Sequence, residues 1–174
     1  MPEGPVPIRT AQVLGIFTST LTAGASIGLS SQLVPRLLES PTPLMLKQWN
    51  RSFQSGKKNM PPLALLAASS YFFLAYRSRQ LVGANAATWK LYLAAGLLSF
   101  GIIPYTLLFM MPTNKKLLAK VDETAALSFK DEVVEAGLGE ETAHKLIDKW
   151  GLLNLGRGVM LAFSGLLGAY TTVF

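Results

Sequence analysis

Charged residues are distributed very unevenly along this chain. Residues 11–34 and 91–114 contain no charged side chain, and after Lys149 the only charge before Phe174 is Arg157. An uncharged run of about 20 residues forms a helix as long as the hydrocarbon layer of a bilayer is thick, about 30 Å. The sequence therefore predicts an integral membrane protein built from helices.

Composition supports this prediction and narrows the chemistry that the chain can carry. Half of the 174 residues are hydrophobic and 15% are charged, whereas soluble domains carry about 25% charged residues. The net charge of +6 does not indicate nucleic acid binding, because Lys and Arg crowd the cytosolic loops of membrane proteins and the interleaved aromatic and basic residues of single-strand binders are missing. The chain has no cysteine, which excludes disulfides, iron–sulfur clusters and cysteine-based zinc sites.

Apolar segments and the prolines beside them predict an all-α fold, an integral membrane four-helix bundle that forms one domain over residues 1–174. Pro35 and Pro112 follow the first and third segments. Pro61 and Pro62 begin the second, in the first helical turn, where proline is tolerated. A short polar turn at residues 83–85 makes the second and third helices antiparallel neighbours. The four predicted spans are residues 11–34, 61–76, 88–111 and 150–174.

The polar connections, residues 35–60 and 113–149, predict one or more amphipathic cytosolic helices and set the orientation. Four spans place both termini on one side. Eleven Lys and Arg residues fall in the connections and four on the side of the termini, so the positive-inside rule puts the connections in the cytosol and the termini in the lumen of the endoplasmic reticulum or another endomembrane. The eleven are Arg36, Lys47, Arg51, Lys57, Lys58, Lys115, Lys116, Lys120, Lys130, Lys145 and Lys149, and the four are Arg9, Arg77, Arg79 and Lys90.

The first span carries a stripe of hydroxyl side chains. Thr18, Thr22, Ser26 and Ser30 recur every four residues, which places them on one face of a helix. Small and hydroxyl residues on one face allow close helix packing in lipid. The stripe therefore predicts a packing seam, with the polar wall of a cavity as the alternative.

Arg157 stands about two turns inside the fourth span. An arginine in hydrocarbon costs on the order of 3 kcal/mol and usually faces a bundle interior or cavity. At 100° per residue, Trp150, Asn154, Arg157 and Leu161 fall within about a 60° arc of the helix. The pattern favours a polar site, and the alternatives are a guanidinium that reaches back to the headgroups or one that binds backbone carbonyls.

The third span supplies residues that can reach the same depth. Pro104 cannot donate to the carbonyl of Phe100, which opens the helix beside Tyr105 and Thr106. Asn114 alone is typical of a helix C-cap, but together with the arginine stripe it predicts a shared polar site.

His144, the one histidine, lies four residues before Asp148. This spacing is compatible with an oriented base or with a solvated surface pair. One histidine without an intramembrane carboxylate makes a His/carboxylate iron site improbable.

Three stretches, taken in their order and spacing, resemble a known family. They are "MPPLALLAASSYFFLAYRSR", "PYTLLFMMPTN" and "WGLLNLGRG". The chain is similar, from about residue 15 to its end, to the anthrone oxygenase-like proteins, small four-span membrane proteins of fungal polyketide pathways that were long catalogued as a domain of unknown function. Asn154 stands where some relatives have histidine, which removes one candidate base.

The resemblance implies oxidation of a lipophilic anthrone to a quinone by O₂, without metal or other cofactor. Arg157 would then bind the developing oxyanion, with Asn114 and Asn154 as neutral donors, and the base would be His144, Tyr105 or a bound water. The residues expected to line the substrate slot are Trp150, Tyr105, Thr106, Phe109 and Leu161. The expected partners are the lipophilic substrate, O₂ and membrane lipids, with assembly into a homo-oligomer left open.

Two other functions fit the same scaffold. A pathway-specific cyclase or isomerase acting on a lipophilic polyketide or terpenoid would use the same polar groups for acid–base chemistry and would consume no oxygen. A non-enzymatic membrane anchor or assembly factor would lose stability or partner binding, without any change of metabolite, when Arg157 is replaced.

Overall fold

The computed structural model of the protein describes residues 5–80, 86–124 and 142–174. These residues are almost entirely helical and contain no β-strand, which confirms the all-α prediction for the described part of the chain. The predicted turn at residues 83–85 and residues 125–141 of the second long connection lie outside the described residues.

The helices form four long segments. The first consists of α1 and α2 with a π-helical turn between them, the second is α3 alone, the third consists of α4 and α5 with another π-helical turn between them, and the fourth is α6. Their bounds are α1 Val6–Gly28, first π turn Leu29–Leu33, α2 Val34–Leu38, α3 Thr42–Gln80, α4 Ala86–Tyr105, second π turn Thr106–Met110, α5 Met111–Thr124 and α6 Ala143–Val173.

The four segments pack side by side in an antiparallel square. The helix α1 packs against α3 and α6, and α4 packs against the same two helices. At one end, which we call the terminal end, Gln12 of α1, Tyr92 of α4 and Thr172 of α6 are joined by hydrogen bonds through the tyrosine hydroxyl. At the other, the connection end, α2 turns directly into α3. Both chain termini therefore lie at the same end of the bundle.

Prolines do not end the helices where the sequence predicted ends. The helix resumes beyond Pro35 and Pro112, and each proline stands two residues after a π turn. A π turn shifts the hydrogen-bond register, so that the proline, which has no N–H, falls in the first turn of the next α-helix. The helices therefore continue past residues 34 and 111, where the sequence placed the ends of two spans, and the ends of those spans stay predictions.

Pro61 and Pro62 likewise lie within α3, which begins at Thr42 rather than at residue 61. A proline inside a helix costs about 3 kcal/mol or more. Tertiary packing on both sides offsets this cost, because Trp49 before the prolines and Tyr71 after them are fully buried. Local proline rules could not predict this, since the compensation comes from other helices.

Within the described residues, three helical segments are long and apolar enough to cross a membrane, namely Val6–Leu38, Ala87–Thr124 and Ala143–Val173. The α3 helix is not among them, and its apolar stretch after the prolines is short, ending at Arg77 and Arg79. The predicted span at residues 61–76 therefore stays a prediction.

A run of glycines joins α6 to the first segment. A Cβ atom on Gly151 would lie 3.0 Å from Val34, one on Gly158 would lie 2.9 Å from Ile27, and one on Gly165 would lie 2.6 Å from the methyl group of Thr20. The three glycines are seven residues apart, and so are their partners, which defines an antiparallel register. Glycine permits this close approach of two helices. This glycine zipper, as we call these three contacts, was not predicted.

The hydroxyl stripe of α1 is buried in the bundle over most of its length. Thr18, Thr22 and Ser26 are buried, and the two threonines donate hydrogen bonds to carbonyls one turn earlier in their own helix. These residues form the predicted packing seam, whereas Ser30 contacts the site described next.

Candidate active site

A cavity of about 310 Å³ opens between α3 and the second π turn. Its walls are mostly apolar and include Phe53, Met60 and Met110. Met110, Asn114 and Trp150 are buried, whereas Lys57, Pro61 and Leu107 are exposed, so the buried residues form the floor and the exposed ones the mouth. The full lining is Leu29, Ser52, Phe53, Gly56, Lys57, Met60, Pro61, Ile102, Ile103, Thr106, Leu107, Met110, Met111, Asn114, Leu118, Trp150 and Arg157.

Four of the predicted site residues meet in this cavity: Thr106, Asn114, Trp150 and Arg157. Among the described residues, five side chains have a buried polar atom without a hydrogen-bond partner, and three of the five line this cavity. These three atoms are the Oδ1 of Asn114, the Nε1 of Trp150 and the Nε of Arg157. A buried polar atom without a partner costs about 1–3 kcal/mol. The side chains that carry these two donors and one acceptor line the same apolar cavity, which makes it a candidate site for a ligand with a polar group.

Asn154 holds the guanidinium from behind. Its Nδ2 donates to the carbonyl of Ser26 at 2.8 Å and to the hydroxyl of Ser30 at 2.9 Å, and its Oδ1 accepts from Nη2 of Arg157 at 2.5 Å. Both amide hydrogens of this fully buried residue are thus donated to α1 and the first π turn. The predicted role as a direct donor to substrate does not fit this geometry, and Asn154 instead positions Arg157.

The alternatives considered for two of the polar residues also do not fit. The Nε of Arg157 is buried and the side chain lines the cavity, so the guanidinium does not reach back to headgroups. Asn114 lies inside α5, which continues to Thr124, so it is not a C-cap.

The remaining predicted residues lie outside the cavity lining. The hydroxyl of Tyr105 donates to the carbonyl of Leu153 at 3.0 Å, and the ring of Phe109 packs 5.2 Å from that of Tyr105 with 57% of its side chain exposed. Leu161 is buried in a separate apolar cluster deeper in the bundle. The sequence placed Leu161 correctly on the arginine face, but the cavity ends before it.

His144 does not line the cavity. It precedes Trp150 of the floor by six residues on the same helix, which corresponds to about 9 Å along the axis, and Arg157 by 13 residues, about 20 Å. Neither His144 nor Tyr105 is in the cavity lining, so neither has a direct contact with the cavity.

Sequence reasoning missed the contribution of α3. Ser52, Gly56 and Met60 line the cavity at intervals of four residues, as do Phe53 and Lys57 at the same spacing. This stripe would have been visible had α3 been predicted to begin before the prolines. The two cations of the lining, Lys57 and Arg157, face no acidic residue of the lining, so the cavity favours an anion.

Aromatic rings support the floor. Trp49 stands edge-on to Trp150 with ring centroids 6.0 Å apart and stacks on Phe53 at 5.0 Å. In the ranges that the structure describes, no three His, Cys, Asp or Glu side chains come together as a metal-binding group.

The site is that of a helical bundle that encloses an apolar slot with a fixed cation at its floor. A sequence profile described as anthrone oxygenase matches residues 49–167, a range that contains every lining residue except Leu29. The chain therefore belongs to the anthrone oxygenase family, as the resemblance of its motifs predicted.

Individual relatives agree over nearly the whole chain. The chain is 31% identical to the anthrone oxygenase AgnL2 of Paecilomyces divaricatus, with 92% of this chain and 93% of the relative covered. It is 28% identical to the anthrone oxygenase dmxR16 of Cryptosporiopsis sp., with 91% and 87% covered. It is 29% identical to the noranthrone monooxygenase of Aspergillus flavus, with 90% and 70% covered. No solved structure matches the chain.

Proposed function

We propose that this protein oxidises a lipophilic anthrone to the corresponding quinone with O₂, in the cavity between α3 and the second π turn. The observation that carries the proposal is a pair of buried donors, Nε of Arg157 and Nε1 of Trp150, that have no partner among the described residues and belong to side chains lining one apolar cavity. The volume of about 310 Å³ lies at the small end of ligand pockets, which span about 300–1,000 Å³. It suits one compact fused-ring molecule.

The cation at the floor makes the bound anthrone more acidic. The methylene of an anthrone loses a proton to give an aromatic enolate, whose charge lies mainly on oxygen. Arg157 and the indole N–H of Trp150 would bind that oxygen, and preorganised donors in a dry site contribute several kcal/mol to such an anion. Because the lining holds no carboxylate, the proton is best accepted by water at the mouth beside Lys57, the third of the bases that the sequence left open.

The reaction then needs only O₂. The enolate transfers an electron to O₂, and the two radicals combine to form a carbon–oxygen bond at the former methylene. The peroxide anion that forms takes up the proton released in the first step and becomes a hydroperoxide. Loss of the remaining C–H proton of the former methylene then breaks the O–O bond, which gives a carbonyl and a hydroxide that combines with this proton to form one water. Anthrone and O₂ are thus converted into anthraquinone and water with no other reductant or oxidant.

The experiment that tests this proposal follows the oxygen atoms. Membranes containing the protein are incubated with an anthrone under ¹⁸O₂, and we expect one ¹⁸O in the quinone. Removing one such donor costs roughly 10²–10³-fold in kcat, so Arg157→Leu should lose activity by that factor, and Arg157→Lys, which lacks the Nε donor, should recover only part of it. Lys58→Gln, an exposed cation outside the cavity, is the control.

Two results would contradict the proposal. Equal quinone yields from wild type and Arg157→Leu would remove the role of the guanidinium. A wild-type yield no greater than that of membranes without the protein would remove the oxygenase function, and consumption of substrate without O₂ uptake would point to a cyclase or isomerase.

We further propose that all four helices cross an endomembrane, with both termini lumenal and the connections cytosolic. Large apolar side chains are exposed on the outer faces of all four segments, including Phe17, Leu65, Phe100 and Phe163. Soluble monomers rarely expose apolar surface on this scale. The outward residues of α3 lie in its second half, which supports a fourth span at residues 61–76.

The chain offers its own reporter of orientation. Asn50-Arg51-Ser52 is an acceptor sequence for N-glycosylation and should stay unmodified in the cytosol, whereas an acceptor site fused behind Phe174 should receive glycan. Sensitivity of each site to a deglycosylating enzyme measures this. Glycan on Asn50 would reverse the proposed orientation.

A further inference from the structure

A second, more open groove of about 630 Å³ lies beside the cavity, between α3 and the first segment. Leu29 and Leu33 line it from the first π turn, and Met60 lines it from α3. Arg36 and Arg51 line the same groove. The proposed oxidation makes no use of this surface.

The groove exists because two glycines leave space in it. A Cβ atom on Gly28 or on Gly56 would meet no atom within 4 Å. This differs from Gly158 and Gly165 of the glycine zipper, where a Cβ would collide with α1. Glycine inside a helix costs about 1 kcal/mol relative to alanine. At Gly28 and Gly56 no close helix contact offsets that cost, and both glycines line the groove, whose apolar part we call the channel.

The two arginines stand at one end of the channel. Arg36 lies seven residues beyond Leu29, about 10 Å closer to the connection end, and Arg51 lies nine residues before Met60, about 13 Å closer to that end. Both guanidinium groups are exposed. Neither has an ion pair or hydrogen bond to another residue that the structure describes, and the groove lining contains no acidic side chain.

We propose that this groove is a binding site for an anionic phospholipid. The phosphate would be held by Arg36 and Arg51, and an acyl chain would lie over Gly28 and Gly56. Guanidinium groups bind phosphate oxygens in a bidentate manner, and basic pockets between membrane helices bind anionic headgroups. The charged end of the groove thus matches the phosphate of such a lipid, and the apolar end matches its acyl chain. The inference rests on the membrane location proposed above and not on the oxidation chemistry.

The bound lipid would also adjoin the active-site cavity. Leu29, Ser52, Gly56 and Met60 line both the groove and the cavity. A chain lying in the groove therefore packs against the outer side of one cavity wall. Lipid binding should accordingly raise the temperature at which the cavity helices unfold.

Lipid retention by the purified full chain tests the site. The protein in neutral detergent is titrated with phosphatidylglycerol, phosphatidylcholine or inorganic phosphate, and bound lipid is counted by native mass spectrometry while the midpoint of thermal unfolding is measured. We expect phosphatidylglycerol to bind at least about tenfold more tightly than phosphatidylcholine and to raise the midpoint, whereas inorganic phosphate does neither. The double variant Arg36→Gln/Arg51→Gln should lose the preference for phosphatidylglycerol, and Lys58→Gln, outside the groove, should keep it.

A second pair of variants tests the channel separately from the charge. Gly28→Leu fills the groove and should release the lipid, whereas Gly24→Leu, at an equally open glycine outside the groove, should retain it. Equal binding of the two lipids, or unchanged preference in the double arginine variant, would overturn the proposal. If inorganic phosphate alone displaced the lipid, the site would be one for a soluble anion, and the lipid proposal would be wrong.

Membrane extraction separates this failure from that of the membrane location. If alkaline carbonate releases the protein without detergent, the membrane location itself is wrong. If the protein stays in the membrane and the two lipids bind equally, only the lipid site is wrong.

Discussion

The two ends of this bundle are built from the same four helical segments but differ in whether their buried polar groups have hydrogen-bond partners. Near the terminal end the hydroxyl of Tyr71 contacts that of Ser19 at 3.1 Å, and Ser99 contacts Ser164 at 2.7 Å. Near the connection end Asn114 and the floor residues of the cavity keep polar atoms without partners among the described residues.

The difference comes from where the prolines and π turns stand. Close glycine contacts join α6 to the first segment in both halves, from Gly165 against Thr20 to Gly151 against Val34. Prolines and π turns interrupt the regular helices of the connection half, where the cavity lies. Buried polar atoms without partners among the described residues therefore collect beside the cavity in that half.

The largest expected effect concerns the charge of the cavity. Asn154→Asp would place a carboxylate against the guanidinium of Arg157, which would neutralise the cation that should stabilise the enolate. We expect kcat to fall about 100-fold, equivalent to about 2.7 kcal/mol, with little change in KM. Steady-state quinone formation in membranes measures both.

Asn154→Leu separates this effect from simple misplacement. It removes the support of Arg157 but leaves its charge, so we expect a smaller fall, of about tenfold. A leucine variant less active than the aspartate variant would contradict the electrostatic argument.

The next effect concerns the glycine zipper near the terminal end of the bundle. Gly165→Ala inserts a methyl group where Thr20 leaves no room, and overpacking of this kind costs about 1–3 kcal/mol. The free energy of unfolding in mild detergent should fall by this amount, while kcat per folded molecule stays near that of wild type. An unchanged free energy would mean that the zipper is looser than the structure shows.

Replacing glycine by alanine should raise the free energy of unfolding, rather than lower it, at a glycine that has open space beside it. Gly24→Ala meets no atom within 4 Å and removes a residue of low helix propensity, so the free energy of unfolding should rise by up to about 1 kcal/mol. The measurement is the same as for Gly165→Ala. A loss of stability at both positions would remove the distinction between packed and open glycines.

The smallest effects concern two residues that the sequence suggested as bases. Tyr105→Phe removes one hydrogen bond to the carbonyl of Leu153 and should cost about 1 kcal/mol of stability, and His144→Gln should change little. Neither should approach the roughly 10²–10⁴-fold loss in kcat that removal of a general base causes. Loss of that size in either variant would identify the base and displace water from that role.

The sequence predicted well what depends on local periodicity. The all-α fold and the common face of Trp150 and Arg157 follow from apolar segments and from 100° per residue, and the described residues agree. The role of Asn154 could not be read from that face, because its amide donates to two acceptors, one on α1 and one in the first π turn, that are more than 120 positions away in the chain.

What the sequence could not show depends on tertiary packing. A proline is a local signal for a helix end, but these helices continue past their prolines. They do so because π turns precede Pro35 and Pro112 and because residues on both sides of Pro61 are buried. The α3 wall of the cavity, with Lys57 at its mouth, was missed as a result.

The two π turns have a consequence for how such a chamber can arise or vanish. A turn of this type amounts to one additional residue in an otherwise regular α-helix, and one residue corresponds to a rotation of 100°. Deleting a single residue within Thr106–Met110 would restore the ordinary winding and swing Asn114 away from the guanidinium, with every chemical group of the site still present. The chemistry of the cavity thus depends on the rotation that the π turn gives to the following helix, and not only on the identity of the lining side chains.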